Sequence, residues 1–273
     1  MANDVEQHYG RTGTLIERIA AELRGAGANL AAMTQPDLEA IDEFHVRGRR
    51  ATLELASRME INRGARVLDI GSGLGGPART VASRFDCHVT GIDLTADFCD
   101  AAQEMSRWVG LADRVDFKQG DVTALDVEPA SFDAAMSIHV GMNIAQKDAV
   151  YDGVYRALKH GRIFAIYDIV QGEGGEVLYP VPWAREPSIS HLATPAQMRH
   201  LLEDTGFKLL EEIDSSEESA AWFKDKAGKM QAAKLPTLGF KIFLGESYAQ
   251  MTANQVRNLA ERRIKTVTFV ARK

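Results

Sequence analysis

A chain of 273 residues, 45% of them hydrophobic, can bury a full core as one large α/β domain or one and a half. Its net charge of −6 and pI near 5.7 argue against a nucleic-acid backbone or an anionic membrane as the standing partner. Two cysteines, Cys87 and Cys99, are too few for a disulfide framework, and no basic-then-apolar leader or run of about 18 apolar residues occurs. The expectation is therefore a soluble, cytoplasmic protein whose cysteines are small buried hydrophobes.

The first sixty residues read as helical, with a glycine-rich break at 25–27, and are expected to form an N-terminal lid (1–60) on a main domain spanning 61–273. Residues 66–70 read as a first strand, which runs into Gly71-Ser72-Gly73-Leu74-Gly75-Gly76 and a helix entered at Pro77. Further strand-like runs, rich in Val, Ile and Phe, lie at 88–92, 114–118, 132–137 and 162–168. Stretches such as 96–109 and 148–158 place apolar residues at helical spacing between them. That alternation predicts a parallel sheet with helices on both faces.

After residue 168 the pattern loosens. Residues 171–187 contain three glycines and three prolines, a composition that reads as a long surface loop. The segment 171–192 is expected to be an insertion on the substrate side. Thr194-Pro195 opens a helix to about residue 205, with proline at its first position. A sixth strand at 206–214, a polar helical region and a β-branched strand at 265–271 complete the chain.

Gly71-x-Gly73-x-x-Gly76 matches the dinucleotide fingerprint literally, and Asp93 follows at the end of the second strand, where an acid holds a ribose hydroxyl. Glycine at 71, 73 and 76 lets the backbone turn tightly and approach a ligand closely. On these residues alone an NAD(P)-dependent oxidoreductase is one reading. Three features favour another. The glycine strand starts near residue 66, behind a helical segment. Asp69 precedes Gly71, where a carboxylate suits an ammonium better than a pyrophosphate. The third strand runs into Gly120-Asp121-Val122, which sets a carboxylate beside an adenine site. A ligand with an ammonium, a ribose diol, an adenine and no phosphate is S-adenosylmethionine.

With those motifs in order, residues 60 to 273 resemble the class I S-adenosylmethionine-dependent methyltransferases. Phe44-His45, Gly48-Arg49, Gly73-Leu74-Gly75-Gly76-Pro77, Asp93-Leu94-Thr95 and the run from His139 to Ile144 resemble the small-molecule branch. That branch includes sarcosine/dimethylglycine, phosphoethanolamine and tocopherol- or sterol-type enzymes. The resemblance implies a Rossmann-like, seven-stranded, mostly parallel sheet of order 3-2-1-4-5-7-6, with the last strand antiparallel. One departure is the turn before strand five, Lys159-His160-Gly161-Arg162, where the family usually has Lys-Pro-Gly-Gly.

The resemblance assigns Asp69, Gly71 and Gly73 to the methionine moiety and Asp93 to the ribose, with Leu94 packing on adenine. Asp121 and Val122 take the adenine edge, and Ile138 and His139 follow strand four beside the methionine end. The implied activity is methyl transfer to an amine nitrogen, a hydroxyl oxygen or a ring carbon of a small-molecule acceptor by in-line displacement. A catalytically silent binding protein of the same fold is the other alternative. His139 is the candidate base, at the strand ends where open α/β sheets bind ligands, and Asn143 the candidate for orienting an acceptor. Tyr179 and Trp183, with Tyr9 and His45 on the N-terminal side, are the candidate acceptor contacts. No metal, nucleic acid or membrane is called for, and a homodimer stays open.

Overall fold

The computed structural model describes residues 15–232 and 245–273; Tyr9 lies outside them. Three helices open the described chain: α1 (Leu15–Gly25), α2 (Gln35–Asp42) and α3 (Gly48–Ala56). Strand and helix then alternate through β1 (Arg66–Ile70), α4 (Gly76–Phe85), β2 (His88–Asp93), α5 (Ala96–Trp108) and β3 (Val115–Gln119). Next come β4 (Phe132–Ile138), α6 (Lys147–Ala157), β5 (Leu158–Gln171) and α7 (Pro195–Asp204). The last elements are β6 (Lys208–Asp214), α8 (Ser216–Ala232), α9 (Tyr248–Ala260) and β7 (Ile264–Arg272).

The seven strands form one sheet of order β3-β2-β1-β4-β5-β7-β6. Pairings from β3 to β5 are parallel, while β7 runs antiparallel to both its neighbours. This is the expected topology. Strand β1 is buried on both faces, as a central parallel strand must be. Its alternation sends Leu68 and Ile70 into one apolar cluster, with α6 and α7, and Val67 into the opposite one, with α3 and α4. Helix α3 thus belongs to the sheet's own core through Ala51, Leu55 and Ala56. Helices α1 and α2 are held separately, by a cluster that joins Ile19, Leu23, Leu38 and Ile41 to Leu74 and to Ala101 and Met105 of α5.

Helix boundaries follow local chemistry. Gly75 caps α4 with a left-handed backbone (φ 75°), and Pro77 occupies its first turn. Thr194 and Gln197 form a reciprocal capping box at the start of α7. Strand five is longer than the sequence pattern indicates, 158–171 against 162–168. Leu158 already pairs with Phe132; the register then shifts, and pairing resumes at Ala134 and Ile163. The unusual Lys159-His160-Gly161 turn lies at that irregularity, where the Gly161 N–H donates to the Lys273 carbonyl at 2.9 Å. Far from the sheet's crevice, it alters a boundary and nothing else.

Candidate active site

The chain leaves β3 on one side of β1 and re-enters at β4 on the other, so the crevice at the ends of β1 and β4 is the topological switch point. Contact across it is close. A Cβ on Gly71, whose φ is +71°, would lie 2.4 Å from a Val140 methyl. The Gly71 and Ser72 amides both donate to the Ile92 carbonyl, at 2.8 and 3.1 Å, which ties the glycine turn to the end of β2.

The strand ends enclose a chamber of about 250 Å³. Gly71, Gly73, Asp93, Leu94, Asp121, Val122, Ile138 and His139 line it, together with Asn143 and His45. Asp93 is fixed by backbone: one oxygen accepts from the Gly73 N–H at 2.8 Å and the other from the Thr95 N–H at 3.0 Å. The Thr95 side chain bonds the same carboxylate, which leaves only part of its acceptor capacity for a ligand. Burial raises the Asp93 carboxyl above the ordinary aspartate value, against those two amides.

The glycines divide their work. A side chain on Gly73 (φ +51°) would meet nothing within 4 Å and would project into open space at the chamber. Gly76 serves the protein and not a ligand, because a Cβ there would lie 2.2 Å from the Asp42 carbonyl oxygen. It is the N-terminal segment that comes this close. Asp69 also departs from expectation: it is 2% exposed, lies behind the wall, and leaves Oδ2 without a partner. Burial, with the charge of Asp93 adding, pushes its carboxyl up to about 8. Ser72, on the wall, likewise carries an unpartnered buried Oγ. Asp121 lines the chamber while its carboxylate accepts from the N–H and hydroxyl of Thr123, at 2.9 and 2.7 Å.

Asp42 is a chamber residue that sequence reasoning missed, and Phe44 and Leu74, quoted there only as members of motifs, also line the chamber. Asp42 pairs at 2.8 Å with Arg79, whose side chain is fully buried and also donates to the Leu74 carbonyl. One guanidinium thereby fastens the N-terminal segment to the glycine turn. Beside it, Glu43 accepts from Thr52 and Thr80, both at 2.8 Å, and burial plus the Asp42 charge pushes its carboxyl up to about 8. A sequence signal existed: Arg79 interrupts an apolar helix face, and an acid doublet ends α2.

His139 sits just past β4 in the left-handed region (φ 54°). Its ring packs against Tyr167 at 5.0 Å and His45 at 5.9 Å between centroids. Burial, with His45 adding, holds its pKa well below the usual histidine value, so the ring is neutral. Its Nε2 is sealed from water and has no partner. His45 is buried and neutral too, held at about 4 by burial, with Nε2 bonded to the Gly48 carbonyl at 2.9 Å. Asn143 commits its amide nitrogen to the Trp183 carbonyl at 2.7 Å, bracing the loop that follows β5.

A second chamber, of about 170 Å³, shares Phe44, His45 and His139 with the first. Trp183 lines it, but is only 1% exposed, packs with Val181, Ile169 and Ile264, and donates from Nε1 to Ser190 at 3.0 Å. Tyr179 packs against that same cluster and is on neither chamber's wall. Part of the remaining wall comes from Trp222, Phe223 and Lys226 of α8 and from Gln255 and Val256 of α9, which the sequence did not single out.

Residues 61–234 match the methyltransferase-domain family. The chain is 27% identical to a sterol 24-C-methyltransferase of Clavispora lusitaniae over 216 residues, 76% of this chain and 58% of that protein. It thus spans little more than half the length of such curated relatives. Among solved structures, the 4+2 cyclase SpnF is 24% identical with a TM-score of 0.71, covering 100% of this chain and 97% of that one. A phosphoethanolamine N-methyltransferase of Haemonchus contortus, solved with phosphomonomethylethanolamine and S-adenosylhomocysteine, is 21% identical with a TM-score of 0.75. That likeness covers 98% of this chain and 60% of the other. At such identities the structural matches speak for the fold alone. The match over residues 61–234 carries more: the chain belongs to the methyltransferase-domain family.

Proposed function

We propose that the protein transfers a methyl group from S-adenosylmethionine to a small-molecule acceptor, with the cofactor held in the chamber at the glycine turn. The observation that carries this reading is Asp93, a carboxylate on the chamber wall fixed by the Gly73 and Thr95 amides, with acceptor capacity left beyond its protein partners. A ribose diol is the group that such a pair of acceptors fits. The rest of the chamber suits the same ligand. Gly73 leaves room where a side chain would intrude. Leu94 and Val122 supply apolar wall for an adenine beside Asp121.

S-adenosylmethionine supplies an electrophilic methyl on a cationic sulfur. The chain's task is alignment and exclusion of water. Phe44 and His45 from the N-terminal segment close the chamber, so α1, α2 and the chain up to His45 act as its lid, secured by the Arg79–Asp42 pair, while α3 stays with the core of the sheet. His139, neutral and on both walls, is the group placed to take a proton from an acceptor. Asn143 acts through the Trp183 loop. The buried thiols of Cys87 and Cys99, both pushed up by burial, suit a reducing cytoplasm.

The test is direct. The protein is incubated with methyl-labelled S-adenosylmethionine and pooled small amines, phenols and isoprenoid precursors, and the labelled product is identified. Label on one small molecule is expected; label confined to protein or nucleic acid would overturn the reading.

A further inference from the structure

The second chamber meets the first at Phe44, His45 and His139, which line both. A molecule filling it lies against the cofactor site, as an acceptor must for in-line transfer. Met142, Ile169, Trp183, Trp222 and Phe223 give it an apolar lining. Among the described residues its wall carries no carboxylate, and its one ammonium, that of Lys226, is already engaged. The Lys226 Nζ lies 4.6 Å from the Trp222 ring centre and within reach of the Glu39 charge. No full charge is left on this wall to pair with a charged ligand, and an unpaired charge is costly to bury.

A buried polar side chain on the same wall is not engaged. Gln255 of α9 is only 7% exposed, yet its amide makes no hydrogen bond among the described residues. Nor is that amide sealed. The unpartnered side-chain atoms shut away from water are Asp69 Oδ2, Ser72 Oγ, Arg79 Nε and His139 Nε2, and Gln255 is not among them. With so little of the residue at the surface, the space its amide faces is the chamber. Two asparagines of α9 show the contrast. Asn254 donates to the Pro180 carbonyl at 2.9 Å. Asn258 donates to the Leu178 carbonyl at 2.9 Å and accepts from the Leu178 N–H at 2.8 Å. A buried amide that the protein leaves unpaired gains when a ligand completes it, and its two N–H donors and one carbonyl suit a hydroxyl or a carbonyl.

Resting on the methyltransferase reading above, we infer that the second chamber takes the acceptor, that the acceptor is an uncharged apolar molecule bearing a hydroxyl or carbonyl group, and that Gln255 recognises that group. Gln255 lines the second chamber only, so the group it holds lies away from the cofactor. The reacting atom lies at the shared wall, by His139.

Three probes with the same eight-carbon chain and different head groups isolate the claim: octanol, octanoate and octyltrimethylammonium, the two ions below their micelle concentrations. Calorimetric titrations use the full-length protein, first with S-adenosylhomocysteine and then, in its presence, with each probe. Octanol should bind about tenfold or more tightly than either ion. Gln255→Met and Gln255→Leu keep an apolar side chain of similar bulk and remove the amide, so each should weaken octanol about fivefold. Neither should lower Tm, because the amide they remove has no protein partner, and S-adenosylhomocysteine affinity should be the same in all three proteins. An ion binding as tightly as octanol, octanol affinity unchanged in both variants, or a fall in Tm accompanying the loss of octanol would each overturn the inference. So would no probe binding while S-adenosylhomocysteine binds. Failure of S-adenosylhomocysteine itself to bind would break the underlying reading, and the inference with it.

Discussion

The chamber at the glycine turn and the chamber beside it differ in how they are made. The first is built largely by backbone: strand ends, a glycine turn and amides that fix Asp93 at 2.8 and 3.0 Å. The second is built by side chains from segments far apart in sequence, Phe44 to Val46, Met142, Ile169, Trp183, α8 and α9. A site made of backbone depends on the sheet and tolerates few substitutions at its glycines. A site made of side chains can change its ligand by exchanging residues on two helices while the sheet stays as it is. The shared fold of a cyclase and an N-methyltransferase among the structural matches is consistent with that division.

The sharpest way to separate the chambers is Gly73→Val. Its side chain would project into the first chamber from a left-handed backbone position, so S-adenosylhomocysteine binding should be lost. The circular dichroism spectrum should persist; loss of the folded spectrum would mean that Gly73 serves the fold and not a ligand. Next in size is Trp183→Ala. Because Trp183 is fully buried and hydrogen-bonded to Ser190, its truncation should cost about 3–5 kcal/mol in denaturant unfolding. A stable variant with only a weakened acceptor would return Trp183 to a pure binding role.

Asp93→Ala should weaken S-adenosylhomocysteine binding by about 1–3 kcal/mol in calorimetry, the loss of charge-assisted hydrogen bonds to the ribose. Unchanged affinity in a folded variant would refute the assignment of Asp93. The smallest effect concerns pH. Glu43 titrates near its ordinary 4.5 when unfolded and at about 8 when folded. Between those values the native state holds the extra proton, so stability falls as pH rises through that window. Asp69, also raised to about 8, acts in the same direction. Glu43→Gln should therefore reduce, without abolishing, the drop in Tm between about pH 5 and about pH 8. An unaltered drop would show that Glu43 does not carry the proton.

The contrast between the chambers also explains what could be read from the sequence. The places of Gly71, Gly73 and Asp93 on the chamber wall were legible because the dinucleotide-type motif sets its glycines just after one strand and its acid at the end of the next. Strand order came with the family resemblance; the alternation of strands and helices alone indicated only a parallel sheet covered on both faces. Helices α8 and α9 were not legible as a wall, since Trp222 and Gln255 are brought together by tertiary packing and share no local pattern. Tyr179 was singled out as an aromatic in a proline-stiffened loop, yet that loop folds inward and packs against Ile169 and Val181. The start of β5 at Leu158 was hidden by the polar run before Arg162, where a register shift absorbs the extra residues. Asp42 escaped notice because its partner Arg79 is 37 residues away in sequence.

The central claim is that the glycine-turn chamber holds S-adenosylmethionine, and a thermal-shift titration tests it most directly, because a ligand that binds only the native state raises Tm by mass action. S-adenosylhomocysteine should raise Tm in proportion to the logarithm of its concentration, by less in Asp93→Ala, and NADH should leave Tm unchanged. Stabilisation by NADH with no response to S-adenosylhomocysteine would contradict the account.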